Sequence, residues 1–374
     1  MMTYYGMKVY SYQYPNGING INRLQGQKVN IFRNPNFLVP IFFFSLLASV
    51  RYKVGVDTES YKMIFYQYIT GYDKCFLVDK GEWGFKFIID ITSFFSNQHY
   101  LYLFSLAAIQ IGSLYFALRK QREYLPFLAV SIFLSEIFFI LMNGMRQSIS
   151  ACLLPVMILF ILEKKWLKAA MTLLIATSFH KSAVFLIPLS LSAFCLDKKI
   201  LDTKWQLFLF FLSFLLIDKI PINLFSLSKF AGDAGYDDTQ IIAYSSLDAT
   251  SKSVGPIVLL QYVTYLIAII YSKKMFVLFK SKFFNVVYNL FFIGLCLYLI
   301  FYNNFTVSRI LYYFRMLSPI IVSASLYTLW TSSEKIDKSF FRITIILMVS
   351  YLLWELIKAT TTYPNEYVLF KFDF

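Results

Sequence analysis

The chain has 374 residues, of which 58% are hydrophobic, 20% aromatic and only 15% charged. Its mean hydropathy is +0.59. A soluble domain is about a quarter charged, so the composition excludes a soluble globule and predicts a polytopic membrane protein. The net charge of +14 does not indicate nucleic acid, because no basic face carries interleaved exposed aromatics. Lys- and Arg-rich cytoplasmic loops account for it.

Residues 1–36 are polar, with no apolar core behind a short basic region, and read as a cytoplasmic segment rather than a cleavable signal peptide. Apolar runs then predict an all-α domain over 37–357 with about eleven membrane spans. These are 37–50, 99–118, 125–143, 147–162, 166–179, 182–196, 205–217, 257–272, 284–302, 310–330 and 342–357. Trp83 to Phe95 is apolar but carries Lys86 and Asp90, so it is expected to lie in the interface or re-enter, not cross. Residues 358–374 form a tail. The four cysteines give no disulfide framework. The absence of internal repeats argues against a solenoid or an inverted-repeat transporter.

Charge sets the expected orientation. With the N-terminus inside, the inner loops hold 20 of the 35 Lys and Arg residues and six acidic ones, so that side carries the whole +14. Arg119-Lys120-Gln121-Arg122 and Glu163-Lys164-Lys165 are the compact examples. The positive-inside rule therefore predicts N-in, C-out, with two larger extracytoplasmic loops at about 51–98 and 218–256. The second contains Asp233, Asp237, Asp238 and Asp248.

Four stretches carry candidate chemistry, and their cations fall on the predicted outer side. Arg51 follows the first span, with Gly55 permitting a turn that lets it face Asp57; interfacial snorkelling is its plainer explanation. Arg146, in Asn143-Gly144-Met145-Arg146-Gln147-Ser148, starts a helix, where free N–H groups and a guanidinium fork favour a phosphate. His180 lies at a tight turn between two spans, and an imidazole there suits a general base or a phosphate partner. His99 starts a span beside Tyr100 and reads as interfacial. In Ser308 to Arg315, Arg309 and Arg315 lie on different helix faces. Arg315 lies a turn or more into the membrane, where an Arg is costly unless it meets a wet cavity or an anion. Glu136 and Glu355, also within spans, are candidates either for its partners or for polar groups of a cavity. No phosphate loop, HExxH or Cys/His metal spacing occurs.

In order along the chain, these motifs resemble the EpsG/Wzy-type polysaccharide polymerases. The matching residues are Arg51-Tyr52 with Val54-Gly55, Asp57 and Tyr61; Gly81-Glu82 with Gly84-Phe85; Asn143 with Arg146-Gln147; Phe179-His180-Lys181-Ser182; and Arg309 to Arg315. The polar start departs from the family, whose members often carry a further early span. The resemblance runs from about Phe37 to Leu356. It implies a GT-C-like inner-membrane glycosyltransferase that joins oligosaccharide units carried on undecaprenyl diphosphate, at the extracytoplasmic face of a bacterial inner membrane. Lipid-linked glycans as donor and acceptor, membrane lipid and a chain-length regulator protein are the implied partners, with no cofactor and no metal. On this basis Arg146, Arg309 and Arg315, assisted by Arg51, are expected to hold the diphosphate, with Tyr61, Gln147 and Tyr313 in support. His180, Asp57 or Glu82 is expected to accept the proton of the attacking hydroxyl. An O-antigen ligase and a lipid-linked oligosaccharide flippase or other transporter are the alternatives.

Overall fold

A computed structural model describes residues 34–52, 57–71, 82–217, 219, 255–361 and 371–372. Nearly all of the expected 1–36 segment, Gly55, the aspartate-rich stretch of the second long loop and most of the tail lie outside the described residues.

The described chain is helical apart from one ladder. In order, the helices are α1 (Pro35–Ser49), α2 (Thr58–Ile69), α3 (Trp83–Phe95), α4 (Tyr100–Ala117), α5 (Leu125–Phe133), α6 (Glu136–Asn143), α7 (Met145–Cys152), α8 (Leu154–Leu162) and α9 (Trp166–Phe179). There follow α10 (Leu186–Leu191), α11 (Thr203–Leu215), α12 (Pro256–Ile270), α13 (Ser272–Phe279), α14 (Lys282–Ile300), α15 (Phe305–Arg315), α16 (Ser318–Thr331) and α17 (Lys335–Thr361). Strands β1 (Arg51–Tyr52) and β2 (Lys371–Phe372) pair antiparallel, with Arg51 opposite Phe372. Long apolar runs favour helices because a bilayer leaves no water to satisfy an open backbone. Polar side chains mark the starts: Asn34, Ser135, Ser281 and Asn304 each accept from an amide in the first turn of α1, α6, α14 and α15.

The expected eleven spans resolve into three kinds of segment. Among the described residues, five helices are long and apolar enough to cross: Tyr100–Ala117, Met145–Leu162, Lys282–Ile300, Val307–Thr331 and Lys335–Ile357. Two more candidates are bent pairs, α5 with α6 at 76° and the α12–α13 pair at 56°, which brings the count to seven. The other expected spans correspond to the shorter apolar helices Pro35–Ser49, Trp166–Phe179, Lys181–Phe194 and Thr203–Leu215. Length and composition alone support five to seven crossings among the described residues, and the shorter apolar helices make up the rest of the eleven expected segments.

Burial orders the spans. Met145–Leu162 and Val307–Thr331 are each 83% buried and form the centre, whereas Lys335–Ile357, at 17%, is peripheral. Aromatic edges close the packing around them, as where Phe44 meets Phe133 and Phe138, each at 5.9 Å. Helix α3 has an outward stripe of Trp83, Phe87, Ile91, Phe94 and Phe95, all exposed. Its second face carries Asp90, which accepts from the Tyr68 hydroxyl at 2.6 Å and pairs with Lys86 at 3.4 Å. Its buried side, Gly84, Phe85, Ile89 and Thr92, packs on α9 and α4. An apolar stripe beside a polar one is the pattern of a helix lying in an interface.

The loops segregate into two sets. At one end, Glu163 pairs with Lys120 at 2.5 Å, Lys165 at 2.6 Å and Arg119 at 3.7 Å. Gln121 there donates to Ser281 at 2.8 Å, and Lys282 pairs with Asp197 at 2.7 Å. The other set joins Asn143 to Asp57, Arg146 and His180 to Glu82, and Gln147 to Arg309. The 18 residues of α4 span about 27 Å between its two ends. The basic turns that charge counting assigned to one side therefore meet one another.

Candidate active site

The second set of loops is built around one carboxylate. Glu82 precedes the first turn of α3, and its side chain is only 4% exposed. Its Oε2 pairs with Arg146 Nη1 at 2.8 Å, and its Oε1 faces His180 Nδ1 at 2.9 Å. Three separate breaks bring these residues together. Arg146 stands in the first turn of α7, just after the Asn143–Gly144 end of α6. His180 leaves α9 in extended geometry (φ −158°, ψ 127°) before the chain re-enters a short 3-10 turn. Gly84 sets the approach of α3 to α9: a Cβ there would lie 2.5 Å from Ser178 Oγ and 3.0 Å from the Ser178 carbonyl oxygen. Only glycine permits that crossing, and Ser178 is two residues from His180.

Burial alone would push the Glu82 carboxyl up. The hydrogen bond from His180 and the charge of Arg146 outweigh it and hold the group below the usual carboxylate range. Glu82 is thus a fixed counter-ion. Accepting from Nδ1–H, it selects the neutral tautomer of His180 whose basic lone pair is on Nε2.

A second carboxylate behaves oppositely. Asp57 precedes α2, and its side chain makes no capping hydrogen bond. Its backbone N–H donates to Asn143 Oδ1 at 3.1 Å, which ties it to the α6–α7 junction. Burial raises its carboxyl above the ordinary value even though Arg146, Arg309 and Arg51 all oppose that shift. The two carboxyls are thus pushed in opposite directions, Glu82 towards the anion and Asp57 towards the acid.

Arg51 is fully buried, so snorkelling does not describe it. Its guanidinium donates to the Ala48 carbonyl at 2.9 Å and Thr58 Oγ1 at 3.1 Å, and meets Met145 Sδ at 3.2 Å and Met142 Sδ at 3.5 Å. Desolvation lowers its pKa to about 10, against the pull of Tyr61 and Asp57. It binds the end of α1 to the start of α2 and to the helix junction before Arg146. Its reach to the site is electrostatic. His99, expected at the interface, is 3% exposed, with Nδ1 3.0 Å from the Tyr66 hydroxyl.

The supporting residues hold the frame. Tyr61 is buried, stacks on Phe85 at 5.9 Å and lies within electrostatic reach of Arg146. Gln147 donates to the Arg309 carbonyl at 2.6 Å, and the Tyr313 hydroxyl is 2.8 Å from Ser182 Oγ. Tyr312, which sequence did not single out, is 2.7 Å from Ser148 Oγ and donates to the Ile140 carbonyl at 3.2 Å. Its position one residue before Tyr313, within the quoted stretch, was the available signal.

Arg315 has other company. Its Nε donates to Glu136 Oε1 at 3.2 Å, Nη2 contacts Glu136 Oε2, and Nη1 donates to the Tyr298 hydroxyl at 2.9 Å. The structure therefore brings Arg51, Asp57, Tyr61, Glu82, Arg146, His180 and Arg309 into one group and leaves Arg315 with Glu136. Among the described residues no three His, Cys, Asp or Glu side chains converge as metal ligands.

A family model described as the EpsG family matches residues 36–371. The chain belongs to the EpsG family. That family is of the Wzy polymerase type, which gives the chain a general role in polysaccharide polymerisation. EpsG membership also implies a lipid-linked sugar substrate and a membrane setting, in keeping with the apolar helices. No curated protein and no solved structure matches the chain.

Proposed function

We propose that this EpsG-family protein is a GT-C-like glycosyltransferase with about eleven membrane spans, including the short and bent segments. It joins oligosaccharide repeat units carried on undecaprenyl diphosphate at the extracytoplasmic face of a bacterial inner membrane, the basic turns facing the cytoplasm. The growing chain leaves its lipid diphosphate and joins a hydroxyl of a second lipid-linked unit. The observation that carries this reading is the Glu82 carboxylate bridging Arg146 and His180, with Asp57 under the charges of both Arg146 and Arg309.

In the transfer, the acceptor hydroxyl oxygen forms a bond to the donor sugar C1. The C1–O bond to the diphosphate breaks, and the leaving group keeps the electron pair. Arg146 and Arg309 stabilise that developing charge as fixed guanidinia, so the proposed chemistry needs no metal. Arg51 adds positive potential from behind. The hydroxyl proton passes to His180 Nε2, with Glu82 orienting the ring and stabilising the imidazolium. Asp57 is the second candidate acceptor. A chain-length regulator is a proposed partner on the same face.

The test is polymerisation by purified protein supplied with lipid-linked repeat units. Arg146→Ala, Arg309→Ala and His180→Ala are each expected to abolish chain growth. Full-length product from both Arg146→Ala and His180→Ala overturns the assignment.

A further inference from the structure

Arg315 was the cation whose depth most strongly called for an anion, and its surroundings supply one. Glu136, at the start of α6 just past the 76° bend, takes Nε and Nη2 of its guanidinium. The Tyr298 hydroxyl takes Nη1, and the Tyr298 ring lies against the guanidinium face at 4.2 Å. All three nitrogens and one face of the fork are engaged. Tyr265 adds a further donor to Glu136 at 3.5 Å. Beside the pair lies a cavity of about 10 Å³ lined by Ser135, Tyr265, Ser318 and Tyr351. That volume suits roughly one water and is far too small for a phosphate.

What Arg315 anchors is the inner end of α15. The rest of that helix touches the immediate neighbours of both Arg146 and His180. Gln147, next to Arg146, donates to the Arg309 carbonyl; Tyr312 meets Ser148; and Tyr313 meets Ser182, two residues from His180. Helix α15 is therefore a template that fixes α7 relative to the His180 turn, and the shared Glu82 needs that spacing to reach both.

We infer that Arg315 and Glu136 are a positioning pair, acting on the reaction through the register of α15 and not by contact with the diphosphate. The inference rests on the reading of the Glu82 site above.

The experiment is a double-mutant cycle with Arg315→Gln, Glu136→Gln and the double variant, measuring kcat and KM for the lipid-linked repeat unit together with the melting temperature in detergent. Each single change leaves a charge in the membrane without its counter-ion, and kcat should fall roughly tenfold or more with KM within about twofold. The double variant keeps a neutral hydrogen bond between the helices and should recover to within about threefold of the parent. Two results overturn the inference. In one, the double variant is as impaired as Arg315→Gln, or KM rises while kcat holds, which makes Arg315 a direct ligand. In the other, activity follows the melting temperature across all three variants, which makes the pair a stability element only. His180→Ala in the same assay separates the two readings, because its full activity would sink the proposed chemistry while leaving the cycle readable.

Discussion

Replacing Glu82 with Gln tests the centre of the site while preserving its shape. The carboxylate receives two charge-assisted contacts, at 2.8 and 2.9 Å. Bonds of that kind contribute about 1.5–3 kcal/mol each. An amide retains one acceptor oxygen, so one contact survives, while the counter-charge to Arg146 disappears. Because the Arg146 side chain is 31% exposed, solvent screens part of the loss, and about 2–3 kcal/mol of transition-state stabilisation is the expected cost. This corresponds to a roughly 30- to 160-fold fall in kcat/KM. The amide NH₂ opposite Nδ1 also favours the wrong imidazole tautomer, an effect that reaches about 10⁴-fold where a carboxylate orients a catalytic histidine. The assay is the length ladder made from purified lipid-linked repeat units, with initial rates from disappearance of the single-unit substrate. Glu82→Gln combined with His180→Ala should be no worse than His180→Ala alone, since the two act as a unit. Activity of Glu82→Gln within threefold of the parent would refute the reasoning.

The two carboxyls give opposite pH signatures in stability. Glu82, held below its ordinary value of 4.5, adds stability that is present above that value and lost as pH falls through the folded one. Asp57 is raised above 3.8, so the folded state favours its proton and the ionised group costs stability at neutral pH. Asp57→Asn should therefore melt higher than the parent at pH 7.5, match it near pH 4, and polymerise more slowly; fluorescence melts across pH check this. Gly84→Ala forces a Cβ against Ser178 and should cost about 1–3 kcal/mol through overpacking. It should also reduce activity by displacing Glu82, and Ser178→Ala should restore part of both in a combined thermal and polymerisation assay. For orientation, Gln98→Cys should label with a membrane-impermeant maleimide on intact cells and Lys165→Cys only after permeabilisation. The reverse pattern contradicts the proposed sidedness.

Sequence exposed the spans and the candidate cations because both are local signals. An apolar run or an Arg at a helix mouth is visible within about twenty residues. What each cation meets is not local. Arg51 and Arg146 stand in similar positions at helix ends, yet one ends against Ala48, Thr58 and two methionine sulfurs while the other reaches Glu82, 64 residues away. Arg315 looked like the strongest anion ligand because depth makes a charge expensive. The same expense is met by Glu136, 179 residues earlier in the chain, and sequence could name it as a candidate without choosing it. Glu82 was legible only as a possible base, because its bridging role depends on the α3–α9 crossing that Gly84 permits.

Charge balance explains why an anion would choose the group around Glu82. Arg51, Arg146 and Arg309 face Asp57 and Glu82 there, a surplus of one positive charge, whereas Arg315 and Glu136 cancel. The raised carboxyl of Asp57 makes that surplus adjustable, since protonation of Asp57 increases it to two. A bound diphosphate would itself repel the ionised form and raise Asp57 further, so anion binding and proton uptake reinforce each other. An Asp57 that has taken up this proton cannot also accept the one from the attacking hydroxyl, so with the diphosphate bound that proton goes to His180. With Asp57→Asn the linkage disappears, and proton uptake on binding a diphosphate lipid, measured by calorimetry in buffers of different ionisation enthalpy, should fall towards zero. Undiminished uptake in that variant would place the proton elsewhere and overturn the linkage.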